Sequence, residues 1–349
     1  MRQPYLVSSS LLVGITLALG CGGKTEEQDD NSLGDGIESL SGFDTDDESD
    51  SSSNETGLKL DTVSDESEGT AESGDTTEEG CKKVDLLFVI DNSGSMADEQ
   101  INLVNSFPSF IDEIQTQLEG TDGYHIGVIT SDAYIFNQGC TQEGAMVTAT
   151  GGANSSQSVC GPYAEGHRYM TEADDLDQKF ACAGQVGTGG DGNERPMQTM
   201  MAALSPSMNG AGGCNEGFLR DDALLVIVII TDEEDDHEID GCAQLPQPGS
   251  NGEPGGWFAG VVAAKAGQEK NIVVLSLVGP PGPDPVACPA LDKCSGGIQG
   301  AEVANRIVSF TSMFTHGIVG RVCEASYAGF FAEAVGIIDS ACDDFDPIG

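Results

Sequence analysis

Basic residues are the scarcest charged type in this chain: 14 Lys and Arg stand against 58 Asp and Glu, a net charge of −44 over 349 residues. A surface of that sign repels nucleic acid and anionic membrane faces, and no local run of Lys or Arg offsets it. Cations are the species it attracts. Histidine is scarce too, with 4 in the chain, and no two cysteines have the CxxC spacing of a zinc or redox site. Catalytic signatures are missing as well: there is no HExxH, no Walker A loop and no GxSxG elbow. These absences point away from an enzyme and toward a binding protein whose ligating atoms are oxygens.

What is present begins with a secretory layout: Arg2, an apolar stretch from about Tyr5 to Leu19, small residues and then Cys21. The stretch is too short to read as a spanning helix. "LALGC" resembles a bacterial lipobox. The expectation is therefore a signal peptide over 1–20, lipidation of Cys21 and a membrane contact made through that anchor alone. Gly22 in place of aspartate after the cysteine fits an outer-membrane lipoprotein of a Gram-negative cell, facing the periplasm or the exterior. From 21 to 80 the chain is built of Asp, Glu, Ser, Thr and Gly. Isolated Leu58, Leu60 and Val63 cannot make a core there, so the segment reads as an extended, self-repelling linker.

Of 11 cysteines, removing Cys21 leaves Cys81, Cys140, Cys160, Cys182, Cys214, Cys242, Cys288, Cys294, Cys323 and Cys342. An even number in an exported chain reads as disulfides, with a pairing that sequence alone does not reveal. Cys288 and Cys294 are near enough in sequence to suggest a local pair.

From Cys81 the texture changes. "VDLLFVID" (84–91), "YHIGVITSD" (124–132), "ALLVIVIITD" (223–232) and "NIVVLSLVG" (271–279) are apolar at both parities, the pattern of strands covered on both faces. Helical patterns lie between them. After Met96, Ile101, Val104, Phe107, Ile111, Ile114 and Leu118 recur at three or four residues, with a bend expected at Pro108. Further helices are expected over 194–204, 256–270 and 301–314. A last strand is expected at 317–324, with a helix after it. The alternation predicts an α/β fold: a doubly wound, mostly parallel central sheet flanked by helices. Two disulfide-rich loop insertions, about 134–183 and 233–256, interrupt it. The C-terminal extension 281–349 is assigned to the same domain, 81–349, because its helices are too few to bury a core alone.

In such a sheet, ligands bind at the carboxyl ends of the strands. Two strands end in aspartate, "FVID" at Asp91 and "VIITD" at Asp232. Asp91 is followed at alternate positions by Ser93 and Ser95, and the glycine-rich "VGTGGDGNERP" carries Thr188 into a helix. Carboxylates and hydroxyls are hard oxygen ligands, suited to a small divalent cation. "DNSGSM" (91–96) resembles the Asp-x-Ser-x-Ser signature of von Willebrand factor A domains. The ordered set Asp91, Ser93, Ser95, Thr188 and Asp232 is similar to their metal-ion-dependent adhesion site, over about residues 83–280. The wider pattern resembles A-domain lipoproteins of predatory or social Gram-negative bacteria.

The resemblance implies Mg²⁺, with Mn²⁺ or Ca²⁺ as alternatives, bound directly by Ser93 and Ser95. It implies Thr188 binding directly or through water, and Asp91 and Asp232 acting mainly through waters. The open coordination position would accept a carboxylate from a protein partner. The chain departs from the family pattern at Glu233, where glycine is usual. Glu234, Asp235 and Asp236 follow, and this acidic run is a candidate for a further cation or for supporting the first. Two other roles compete with binding: a scaffold built on the disulfide-rich loops, and metal-dependent hydrolysis. The plain reading of Asp91-Asn-Ser-Gly is a turn at a strand end. Thr199 is the lesser substitute for Thr188, Glu194 reads as a first-turn residue favoured by the helix dipole, and Trp257 reads as a core or loop anchor. His125 reads as structural and His237 as a surface residue.

Overall fold

The computed structural model describes residues 81–117, 123–235, 248–281, 288–289 and 300–346. The signal, Cys21, the acidic linker, Leu118, Asp236, His237, Cys242 and Cys294 lie outside the described residues. Strand β1 (Lys83–Ile90) is buried at every position after its first. Leu86, Phe88 and Ile90 enter one hydrophobic cluster while Leu87 and Val89 enter another. The two-residue period of a strand sends them to opposite faces, and both faces are covered.

Four more strands follow: β2 (Gly123–Thr130), β3 (Leu224–Ile230), β4 (Ile272–Val278) and β5 (His316–Arg321). They form one sheet in the order β2-β1-β3-β4-β5, with every pair parallel. The helices are α1 (Ala97–Gln117), α2 (Leu176–Ala183), α3 (Pro196–Ala203), α4 (Pro206–Asn209), α5 (Pro254–Ala264), α6 (Asn305–Thr311) and α7 (Ala328–Asp343). One face packs on α1, α2 and α7, the other on α3, α5 and α6. This is the expected doubly wound α/β architecture. No described helix is long and apolar enough to cross a membrane.

The apolar stripe of α1 differs in phase from the expected one. Leu103, Phe107, Phe110, Ile111 and Ile114 are buried, whereas Ile101 is 46% exposed. The helix carries Pro108 in its interior. The first insertion is more than a loop. Its Met170 exchanges two backbone hydrogen bonds of 2.9 Å with Ile126, and Val147 donates to Val128 at 2.8 Å. These bonds cover backbone groups that edge strand β2 would otherwise leave unpaired. The insertion then forms α2, whose Phe180 stacks on Phe107 with ring centroids 3.6 Å apart.

Four disulfides are described: Cys81–Cys342, Cys140–Cys214, Cys160–Cys182 and Cys288–Cys323. The local Cys288–Cys294 pair is thus corrected. Cys288 reaches across to the segment after β5, because the sheet brings residues 35 apart in sequence together.

Register places the site. Ile90 of β1 lies level with Thr130 of β2 and Ile230 of β3. Asp91, Ser131 and Thr231 therefore leave the sheet together. The chain moves to one side of β1 to make β2 and returns to the other side for β3, so this edge is the switch point where the connections diverge.

Candidate metal centre

Asp91 is fully buried and its carboxylate is held by neutral donors. Oδ1 accepts from the Ser93 backbone N–H at 2.7 Å and from the Ser131 hydroxyl at 3.3 Å. Oδ2 accepts from the Thr231 hydroxyl at 2.6 Å. The Ser93 bond is an Asx turn, and it brings the Ser93 and Ser95 hydroxyls within 3.4 Å of each other. The turn and the site are one device: the turn aligns the alternate hydroxyls.

Asp232 is fully buried, yet neither of its oxygens makes a hydrogen bond. Burial, and after it the charge of Asp91, push its carboxyl up to about 9; the Ser95 hydroxyl is close enough to offset only part of this. Glu194 is buried as completely. Its Oε2 accepts from the Ser131 hydroxyl at 2.6 Å, while Oε1 has no partner. Burial and the adjoining Asp91 push it well above the usual carboxylate range. Glu99, in the first turn of α1, is pushed up to about 8 by burial, then by Asp98 and Asp91, and its Oε2 is also unpartnered. Buried carboxylates without donors cost several kcal/mol each unless a proton or a cation relieves them.

Among the described residues no three His, Cys, Asp or Glu side chains are gathered so as to hold a metal by themselves. A cation here would need the serine hydroxyls beside the carboxylates. That donor set is all oxygen, part neutral and part anionic, with orphaned acceptors. It fits a hard divalent ion.

Thr188 makes its hydrogen bonds outside this set. Its hydroxyl accepts from Asn154 Nδ2 at 2.9 Å, and its N–H donates to Ala153 at 2.9 Å. Both bonds turn it toward the first insertion. Thr199 is buried within α3 and donates to the Pro196 carbonyl at 3.0 Å. The glycine-rich loop is nonetheless tied to the motif. Gln100 donates to the carbonyls of Asp91 and Gly187 and accepts from the Gly187 N–H, each at 2.9 Å. Gly190 packs so tightly that a Cβ there would come within 2.7 Å of the Asn92 carbonyl.

The acidic run divides. Glu234 accepts from the Arg306 N–H at 2.8 Å, bracing the start of α6. Asp235 accepts from Met197 N–H at 3.2 Å, Ser250 N–H at 2.9 Å, Ser250 Oγ at 2.5 Å and Arg306 at 3.1 Å, bracing the start of α3. Both do the work of helix N-terminal caps. Glu233 adds negative charge felt by Asp232 and Glu194. Trp257 is buried, donates to the Asn251 carbonyl at 2.8 Å and carries Arg306 over its ring. Sequence reasoning missed Ser131, Thr231, Gln100 and Glu99, and it set Glu194 aside. The signal for the two hydroxyls was their place at the ends of β2 and β3, level with Asp91.

No family model matches the sequence, and no curated protein matches it. Among solved structures, a von Willebrand factor type A protein from Catenulispora acidiphila is similar at 13% identity and a TM-score of 0.36, over 73% of this chain and 42% of that one. Proximal thread matrix protein 1 from the mussel byssus is similar at 13% identity and a TM-score of 0.35, over 76% of this chain and 49% of that one. The chain spans less than half the length of either.

Proposed function

We propose that this domain captures a protein partner through a divalent cation held at the carboxyl edge of its sheet, in a lipoprotein tethered to the outer membrane through Cys21 and the linker. The observation that carries the reading is Asp232: a fully buried carboxylate beside Asp91, with the Ser95 hydroxyl near it and neither oxygen in a formed hydrogen bond. Ser93, Ser95, Asp91 and Asp232 would hold the ion, Mg²⁺ first, with Mn²⁺ or Ca²⁺ as alternatives. When bound, the ion supplies an electron-poor centre for an oxygen ligand, such as a carboxylate of the partner. Thr231 and Ser131 fix the Asp91 carboxylate, and Gln100 locks the motif to the glycine-rich loop. The reading is binding rather than catalysis: the hydroxyls paired with carboxylates at this edge, Ser131 on Glu194 and Thr231 on Asp91, serve to orient those carboxylates.

A second reading, a scaffold working through the disulfide-pinned insertion, is favoured by Ile135 and Val159, which are 74% and 65% exposed there. Crosslinking in intact cells that make the protein separates the two. Cation-dependent capture predicts crosslinks that disappear in EDTA and in Asp91→Ala. Crosslinks that persist in both support the scaffold.

A further inference from the structure

The geometry points to Glu194, not Thr188, as the fifth side chain of the cation's donor set, an inference that rests on the cation reading of this edge. Glu194 adjoins Asp91, and the two share Ser131, whose hydroxyl is 2.6 Å from Glu194 Oε2 and 3.3 Å from Asp91 Oδ1. The second oxygen, Oε1, is buried with nothing to accept from. Asp235, another carboxylate in the same structure, shows what a purely structural buried carboxylate looks like here. It accepts from two backbone N–H groups, a hydroxyl and a guanidinium. Glu194 has one hydroxyl, and among the described residues no Lys, Arg or His pairs with it. The Ser131 hydroxyl orients the carboxylate and leaves Oε1 without a donor beside Asp91, an arrangement that suits a ligating group.

The consequence is a donor set with three carboxylates where the family pattern has two. An additional anionic oxygen strengthens the hold on any divalent ion and helps most the larger Ca²⁺, which takes more oxygen ligands than Mg²⁺. Removing that charge has opposite effects on the two states. The cation-free protein is relieved of a carboxyl group buried beside Asp91 with an unpartnered oxygen; the cation-bound protein loses a ligand.

The test uses the oxidised mature chain and titrates Mg²⁺, Mn²⁺ and Ca²⁺ into wild type, Glu194→Gln, Glu194→Asp, Thr188→Ala and Asp91→Ala, with thermal melts in EDTA and in each metal. Glu194→Gln is expected to weaken metal binding roughly 10–100-fold and to melt higher than wild type in EDTA. Glu194→Asp, which keeps the charge, is expected to lose less, and Thr188→Ala to bind as wild type does. The inference is overturned if Glu194→Gln binds metal normally, if it lowers the melting temperature equally with and without metal, or if Thr188→Ala is the variant that loses binding. Metal binding that survives Asp91→Ala overturns the cation reading of the edge itself, and this inference with it.

Discussion

Asp85 and His125 face each other across β1 and β2 at the end of the sheet remote from Asp91, with the ring nitrogen 3.6 Å from the carboxylate. Burial pushes Asp85 up to about 6, although Arg220 donates to it from its N–H at 2.7 Å and its Nε at 2.8 Å. Burial pushes His125 down to about 4, against the Phe218 carbonyl to which its Nδ1–H donates at 2.8 Å. The two shifts act with opposite sign on stability. Asp85 binds its proton more tightly folded than unfolded, so its contribution falls as pH rises from about 4 to 6. His125 binds its proton less tightly folded, so its contribution falls as pH drops from 6.5 to about 4. Urea unfolding at pH 4, 5 and 6 checks this. Asp85→Asn is expected to lose more stability than wild type on acidification, and His125→Gln less; parallel curves for all three contradict it. Residues differ in how openly they declare such roles. Asp91, Ser93 and Ser95 were legible because three oxygen-bearing groups at alternate positions end an apolar strand. Glu194 was not, because a glutamate before a helical proline reads as a first-turn residue. Only the fold reveals that it is buried against Asp91 with no donor on one oxygen.

At the scale of elements, the strands could be read directly. Residues 84–90 and 224–230 are apolar at both parities, and only a parallel sheet with both faces covered buries them. Helix α2 could not. "LDQKFACA" sits in a cysteine- and glycine-rich stretch, and its helix depends on tertiary packing more than on its own pattern. Phe180 is fully buried between Phe88 and Phe107, with centroids 4.7 and 3.6 Å away. Phe180→Ala is expected to destabilise the domain by about 3–5 kcal/mol, as measured by equilibrium unfolding with the disulfides intact. A loss below about 1 kcal/mol, the size of an ordinary surface substitution, would show that the insertion merely rests on the sheet. The Cys288–Cys323 pairing was beyond reach for a related reason: β5 had to take its place in the sheet before the two cysteines could meet.

For the whole molecule, the excess of 58 acidic over 14 basic residues sets a field that draws cations toward the domain and weakens with added salt. The buried edge adds what a diffuse field lacks: Asp232 and Glu194 each stand beside Asp91, and each keeps a buried oxygen without a hydrogen bond. Some of the acidity serves architecture instead, as Glu234 and Asp235 show by bracing two helices. The central claim is therefore that one cation site lies at the Asp91–Asp232 edge and not in the general acidity. Calorimetric titration of Mg²⁺ into the oxidised, metal-stripped chain, beside Asp91→Ala and Asp232→Ala at physiological salt, tests it most directly. The account predicts one saturable site in wild type that is lost in both variants. Binding that survives both substitutions, or no saturable binding in wild type, would contradict it.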